Sequence, residues 1–131
     1  MIAAIDHLVM TITDLEKTKA FYCEGLGMRC ESFTPAQGGA QRHALVFGAQ
    51  KINLHDARSP HEPHAAQPQP GAIDICFLSD HSLEAWQAHL AAQRIAIEEG
   101  PVARTGATGP IESLYLRDPD GNLVEIAVQT A

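Results

Sequence analysis

The order strand, helix, three strands can be read twice along the 131 residues of this chain, and that repetition constrains its fold more than any single motif. The first copy opens on IDHLVMTI (5–12), whose alternation sends Leu8, Met10 and Ile12 to one face and His7, Val9 and Thr11 to the other. Thr13-Asp14-Leu15-Glu16 then reads as a capping box, with Thr13 capping a helix over about 14–25 that Gly25 and Gly27 end. Strands are expected at about 28–34, 42–48 and 51–56. The second copy opens on AIDICFL (72–78), continues with a helix over 82–93 opened by Ser82, and closes with strand-like segments at about 95–99, 111–118 and 122–128. Leu15-Glu16 falls on Leu83-Glu84 at an offset of 68 residues, while the opening strands align better at 67. Between the copies, 57–71 holds four prolines, which remove ladder donors and block helix, so an exposed connector is expected with His61 and His64 in solvent. The organisation that follows is a first module 1–56, a connector 57–71 and a second module 72–131, together one compact domain.

Face parity then selects residues. An ionised carboxylate such as Asp74 in an apolar run is costly unless it is paired, hydrogen-bonded or bound to a metal. Ile73, Ile75 and Phe77 form the apolar face of its strand, so Asp74, Cys76 and Leu78 point the other way, and Asp74 takes the position that His7 has in the first copy. Asp118-Pro119-Asp120-Gly121 is a turn that delivers NLVEIAV. Val124, Ile126 and Val128 face the core there, and Glu125 opposes them with Leu123 and Ala127. In KINLHD, Ile52 and Leu54 are apolar and Asn53 and His55 oppose them. The polar set His7, Asn53, His55, Asp74 and Glu125 therefore projects from the non-helix face of four strands. Imidazole and carboxylate are the groups a divalent metal takes, although a sheet face open to water also carries polar residues without any function. Val9, Leu78, Leu123 and Ala127 share the face, a mixture typical of a ligand pocket.

Composition excludes several classes. The apolar fraction of 45% and charged fraction of 19% are those of a soluble globular protein. A net charge of -7 argues against a nucleic-acid or anionic-membrane surface. No run of 18 apolar residues is present to span a membrane, and the first residues lack a signal peptide's basic and cleavage regions. Three cysteines without CxxC spacing point to reduced, largely buried thiols and a cytoplasmic location.

The segments IDHLVMTITDLEKTKAFYCEGLGM, KINLHD, PGAIDICFL, EEGPVARTGATGPI and LYLRDPDGNLVEI resemble the glyoxalase/bleomycin-resistance/extradiol-dioxygenase (vicinal oxygen chelate) superfamily, and most of all its small glyoxalase domain-containing, virulence-related branch. The resemblance runs over about residues 4–128. It implies an α+β fold in which two βαβββ modules form an eight-stranded, cup-shaped mixed sheet with helices on the outer face. It also implies one divalent metal ion (Mn, Fe, Ni, Zn or Mg) held by His7, Asp74 and Glu125, with His55 or Asn53 at the fourth position. Glu125 would double as the catalytic base, and Asn53 would otherwise bind substrate. Histidine is usual where this chain has Asp74, and the change favours harder, oxygen-seeking metals. A homodimer and a small oxygenated substrate are implied as well. The alternative is a metal-free drug- or metabolite-binding protein of the same fold. Arg104 to Pro110 lacks the spacing and lysine of a phosphate loop and is expected to form an irregular connection or lid. Arg104 would then meet an anionic substrate group, with Tyr115 and Arg117 lining the cup beside Ser113.

Overall fold

Strand β1 (His7–Ile12) runs parallel to β4 (Gln50–Asp56), and the helical segment between them supplies the crossover that parallel pairing needs. Helix α1 covers Leu15–Lys19, β2 Arg29–Phe33 and β3 Arg42–Phe47, and the sheet order is β1-β4-β3-β2. The pattern recurs with β5 (Asp74–Leu78), α2 (Leu83–Ala92), β6 (Glu99–Gly106), β7 (Gly109–Arg117) and β8 (Leu123–Gln129), in the order β5-β8-β7-β6 with β5 parallel to β8. The computed structural model describes residues 1–130 and divides into two units, Met1–Gly71 and a second from Ala72 onward. Each unit is a βαβββ module with its own four-stranded mixed sheet, an α+β arrangement. Among the described residues no helix is long and apolar enough to cross a membrane.

The large buried apolar residues follow the alternation, but Thr11, Ala44, His55, Ser113 and Ala127 of the opposite face are buried too, and Leu8 and Val128 are only part-buried. In the first unit Met10, Ile12, Leu45, Ile52 and Leu54 are buried together with Phe21 and Tyr22 of the helical segment. In the second, Leu114, Leu116, Val124 and Ile126 are buried with Leu83 and Leu90 of α2. Ser82 caps α2 as expected, its hydroxyl accepting from the amide of Ala85 at 3.1 Å.

Four expectations are corrected. The cap of α1 is Asp14 rather than Thr13: its Oδ1 accepts from the amide of Lys17 at 3.0 Å, because the first helical residue is Leu15 and a cap must stand immediately before it. The α-helix does not run to residue 25. It widens at Ala20–Gly25 into a π-helical turn in which the amide of Leu26 donates to the carbonyl of Phe21 at 3.0 Å. Cys23 and Cys30 are a disulfide rather than free thiols, since the turn at Gly27 (φ +79°) brings their Cα atoms to 6.3 Å, within bridging range. Cys76 remains the free thiol.

The fourth correction concerns residues 95–110. Strand β6 begins only at Glu99 and carries Arg104 through to Gly106, and Gly109 and Pro110 already belong to β7. Gly106 and Gly109 pair across the ladder, so only Ala107 and Thr108 form the turn. The glycines mark a tight hairpin, and no irregular lid is formed there.

The turn before β8 is a polar pin. Asp118 accepts through Oδ1 from the amides of Asp120 and Asn122, each at 2.9 Å, and its carbonyl accepts from the amide of Gly121 at 3.0 Å. Asn122 donates from Nδ2 to Asp118 Oδ2 at 2.7 Å and accepts at Oδ1 from the amide of Ile73 at 2.9 Å. The last residue before β5 is thereby fastened to the residue just before β8.

Candidate functional site

The β1–β4 register sets Val9 against Asn53 and Thr11 against His55, with His7 against Lys51. These side chains share the face opposite Met10, Ile52 and Leu54, as strand alternation requires. His7 Nδ1 lies 2.8 Å from Asp6 Oδ2, and in the neutral tautomer that donates there the ring's lone pair is on Nε2. Deeper along the face, Asn53 Oδ1 and His55 Nδ1 are buried without a hydrogen-bond partner. His55 is only 6% exposed, and its ring stands 5.4 Å from that of His61 in a T-shaped contact. Burial first, and then its electrostatic interactions with His61, Arg42 and His64, hold His55 below the usual histidine pKa and favour its neutral imidazole. The connector histidine His61 is thus packed on His55 and not simply solvated.

In the second unit the register sets Cys76 and Tyr115 on either side of Glu125, and Ser113 beside Ala127. Asp74, Cys76, Ser113, Tyr115, Arg117 and Glu125 therefore occupy one face. Ser113 donates its hydroxyl to Glu125 Oε2 at 2.5 Å, and Cys76 is hydrogen-bonded to the same carboxylate. Arg104 reaches the face from β6: Nε donates to the Tyr115 hydroxyl at 3.0 Å and Nη2 to Glu99 at 3.1 Å. Arg117 is engaged by Glu98 at 3.0 and 3.3 Å and by the carbonyl of Gly121 at 3.2 Å. Both arginines thus have carboxylate partners in their own unit, and a ligand anion would compete with Glu98 or Glu99 for them.

The family profile of the glyoxalase/bleomycin resistance protein/dioxygenase superfamily matches residues 4–126. The chain belongs to this superfamily. Virulence protein STM3117 of Salmonella typhimurium is 47% identical over 127 residues, spanning 97% of this chain and 85% of that protein. Its crystal structure matches with a TM-score of 0.90 over 99% of both chains. Glyoxalase domain-containing protein RDO1 of Mycosarcoma maydis is 48% identical over 126 residues, spanning 96% and 68%. Lactoylglutathione lyase from Agrobacterium tumefaciens is 25% identical in structural alignment, with a TM-score of 0.69 over 98% of this chain and 95% of that one.

Within this superfamily chain the two modules can be compared position by position. His7 pairs with Lys51 and Asp74 with Leu123; two residues further along the partner strands stand Asn53 and Glu125. Asn53 is thus the internal counterpart of Glu125, and His55 that of Ala127. Among the described residues no three His, Cys, Asp or Glu side chains form a group able to hold a metal.

Cys76 was legible on this face by parity, yet its composition class suggested apolar filler; its place opposite Glu125 is what gives it a chemical character. Burial, then the Glu125 and Asp74 carboxylates, push its thiol from about 9 up to about 11. Two units lower the thiolate fraction at pH 7.5 by roughly 100-fold, partly offset by the greater nucleophilicity of a more basic thiolate. Iodoacetamide is therefore expected to alkylate Cys76 about tenfold more slowly than a free cysteine in chelator-treated protein, and Glu125→Gln to speed it. A rate equal to that of free cysteine and indifferent to Glu125→Gln would disprove the coupling.

Proposed function

We propose that this chain is a metal-dependent enzyme acting on a small oxygenated molecule, binding two neighbouring substrate oxygens at a divalent ion. One observation carries the reading: in both modules the opening strand and its parallel partner present polar groups from the face opposite the core, His7 with Asn53 and His55, Asp74 with Glu125. The donors suit such an ion, since the Asp6 contact at Nδ1 leaves Nε2 of His7 as the ligating nitrogen and the other groups are carboxylates, an imidazole held toward its neutral form and an amide oxygen. His7, Asp74 and Glu125 would hold it, with His55 or Asn53 completing the set, and Mn, Fe, Ni, Zn or Mg as candidates. Asp74 makes the set oxygen-rich and favours the harder members. When bound, the ion supplies Lewis-acid stabilisation of negative charge developing on substrate oxygen. Glu125, steadied by Ser113, is the group that moves a proton, and Arg104 and Tyr115 orient the substrate. Assembly as a homodimer and a cytoplasmic location belong to the same proposal.

A second reading, a metal-free drug- or metabolite-binding protein, is favoured by the apolar groups on these faces: Val9 is 42% and Leu78 61% exposed. Elemental analysis of protein purified without chelator separates the two. The enzyme reading expects a divalent metal near stoichiometry, reduced at least tenfold in His7→Ala and in Glu125→Ala. Equal metal in all three proteins would refute the ligand assignment, and a metal-free wild type would favour the binding protein.

A further inference from the structure

Three buried polar atoms of the first unit have no hydrogen-bond partner: Arg42 Nε, Asn53 Oδ1 and His55 Nδ1. They are not scattered. Ala44 pairs with Asn53 and His43 with Leu54, so continuing the antiparallel ladder by one residue sets Arg42 opposite His55. Alternation then puts Arg42, Asn53 and His55 on one face, two of them on the same strand and the third across from it. Buried polar groups are almost always satisfied, and an orphaned group costs about 1–3 kcal/mol. Three together on one patch call for a common partner.

The charge of the patch says what kind. His55 has Arg42, His61 and His64 as its electrostatic neighbours, all of them positive or protonatable. The adjacent carboxylate, Asp56, is taken by Arg58 at 2.8 and 3.1 Å. A second cation beside the Arg42 guanidinium would be repelled, whereas an anion would be held by it. A guanidinium that offers Nε together with a terminal nitrogen matches the two oxygens of a carboxylate. Asn53 Oδ1 is an acceptor, so the ligand must also carry a donor close to its anionic group.

We propose that Arg42, His55 and Asn53 form a binding site for a small 2-hydroxycarboxylate, with the carboxylate on Arg42 and His55 and the hydroxyl donating to Asn53. This assigns both His55 and Asn53 to the anion, so the metal of the proposed enzyme keeps His7, Asp74 and Glu125 and takes no fourth ligand from β4. The site lies wholly in the first unit and does not rest on that metal.

The test is calorimetric titration of the whole chain in excess chelator, at constant ionic strength, with glycolate, acetate and inorganic phosphate. Glycolate is expected to bind at least tenfold more tightly than acetate. Arg42→Gln should weaken glycolate at least tenfold, and so should Arg42→Lys, which keeps the charge but lacks Nε. Asn53→Ala should bring glycolate down to the level of acetate and leave acetate unchanged. Far-UV circular dichroism of each variant identifies any that fail to fold, and His55→Gln then serves in place of a misfolded Arg42 variant, with the same loss expected. Absence of saturable binding by the wild type would mean that water alone fills the patch and would overturn the proposal. Phosphate binding tighter than glycolate, or Arg42→Lys binding like wild type, would overturn it too. Because chelator is present throughout, glycolate selection here supports the anion site alone, and the metal assignment stands or falls separately on the elemental analysis.

Discussion

Gly100→Ala is expected to destabilise the protein by about 3–5 kcal/mol, one of the largest effects available from a single methyl group. Gly100 has φ +111°, a conformation that L side chains rarely adopt, and it sits where the β6–β7 register shifts between Glu99 and Val102. A Cβ there would lie 2.3 Å from the carbonyl oxygen of Ser113, 3.1 Å from Leu114 Cα and 3.3 Å from Ser113 carbonyl carbon. All three are backbone atoms of a strand, and Ser113 and Leu114 are fully buried, so no side chain can swing aside to relieve the overlap. Gly109→Ala is the matched comparison: φ is +142° but no atom lies within 4 Å of the added carbon, so backbone strain of about 1–2 kcal/mol is all it should cost. Guanidinium unfolding measures both. The Gly100 variant should lose midpoint with little change in slope, and a loss no larger than that of Gly109→Ala would show that the Ser113 carbonyl gives way. Because the Ser113 hydroxyl donates to Glu125, the same substitution is expected to disturb the Glu125 side chain as well.

Asn122→Ala should cost about 3–4 kcal/mol. Asn122 is fully buried and serves two partners at once, the amide of Ile73 and the carboxylate of Asp118. Truncation strands a part-buried backbone donor and removes a hydrogen bond from a buried carboxylate, two penalties that add to the loss of side-chain packing. Asn122→Asp tests the polarity of the pin, since it keeps the shape yet sets two carboxylates against each other and replaces the donor to Asp118. It should be at least as damaging as alanine at pH 7 and recover partly in acid. If Asn122→Asp is as stable as wild type at neutral pH, the hydrogen-bond direction assigned to Asn122 is wrong.

The parts of the fold that were legible in the sequence are those set by local periodicity. His7 to Ile12 and Leu123 to Val128 alternate cleanly, and the ladder pairings of β1 with β4 and β5 with β8 respect the faces that alternation selects. The parts that were not legible depend on contacts between segments or on a shift of one residue. Thr13 and Asp14 are both good caps, and only the start of the first helical turn decides between them. Gly106 and Gly109 read equally well as loop punctuation or as the paired shoulders of a hairpin, and pairing across the ladder made them the latter. The Cys23–Cys30 bridge needs a chain reversal that cysteine spacing alone does not reveal. On the candidate site, parity selected the face but not the neighbours. That Arg117 is held by Glu98, that Glu125 is held by Ser113 and Cys76, and that Arg42 stands across from His55 all follow from cross-strand register.

Each opening strand, β1 or β5, is an edge of its own sheet and, among the described residues, pairs with one strand of that sheet, far away in sequence. The other three strands of each unit form a meander of neighbouring antiparallel pairs, which needs only short loops to close. An opening that releases β1 or β5 breaks only a long-range parallel pairing and leaves the locally connected meander whole. His7 and Asp74 travel with the released strand, while Asn53 and Glu125 stay on the meander. Such an opening would keep most of the sheet and remove half of each polar pair, so secondary structure and the pairing of these side chains are separable properties of the chain.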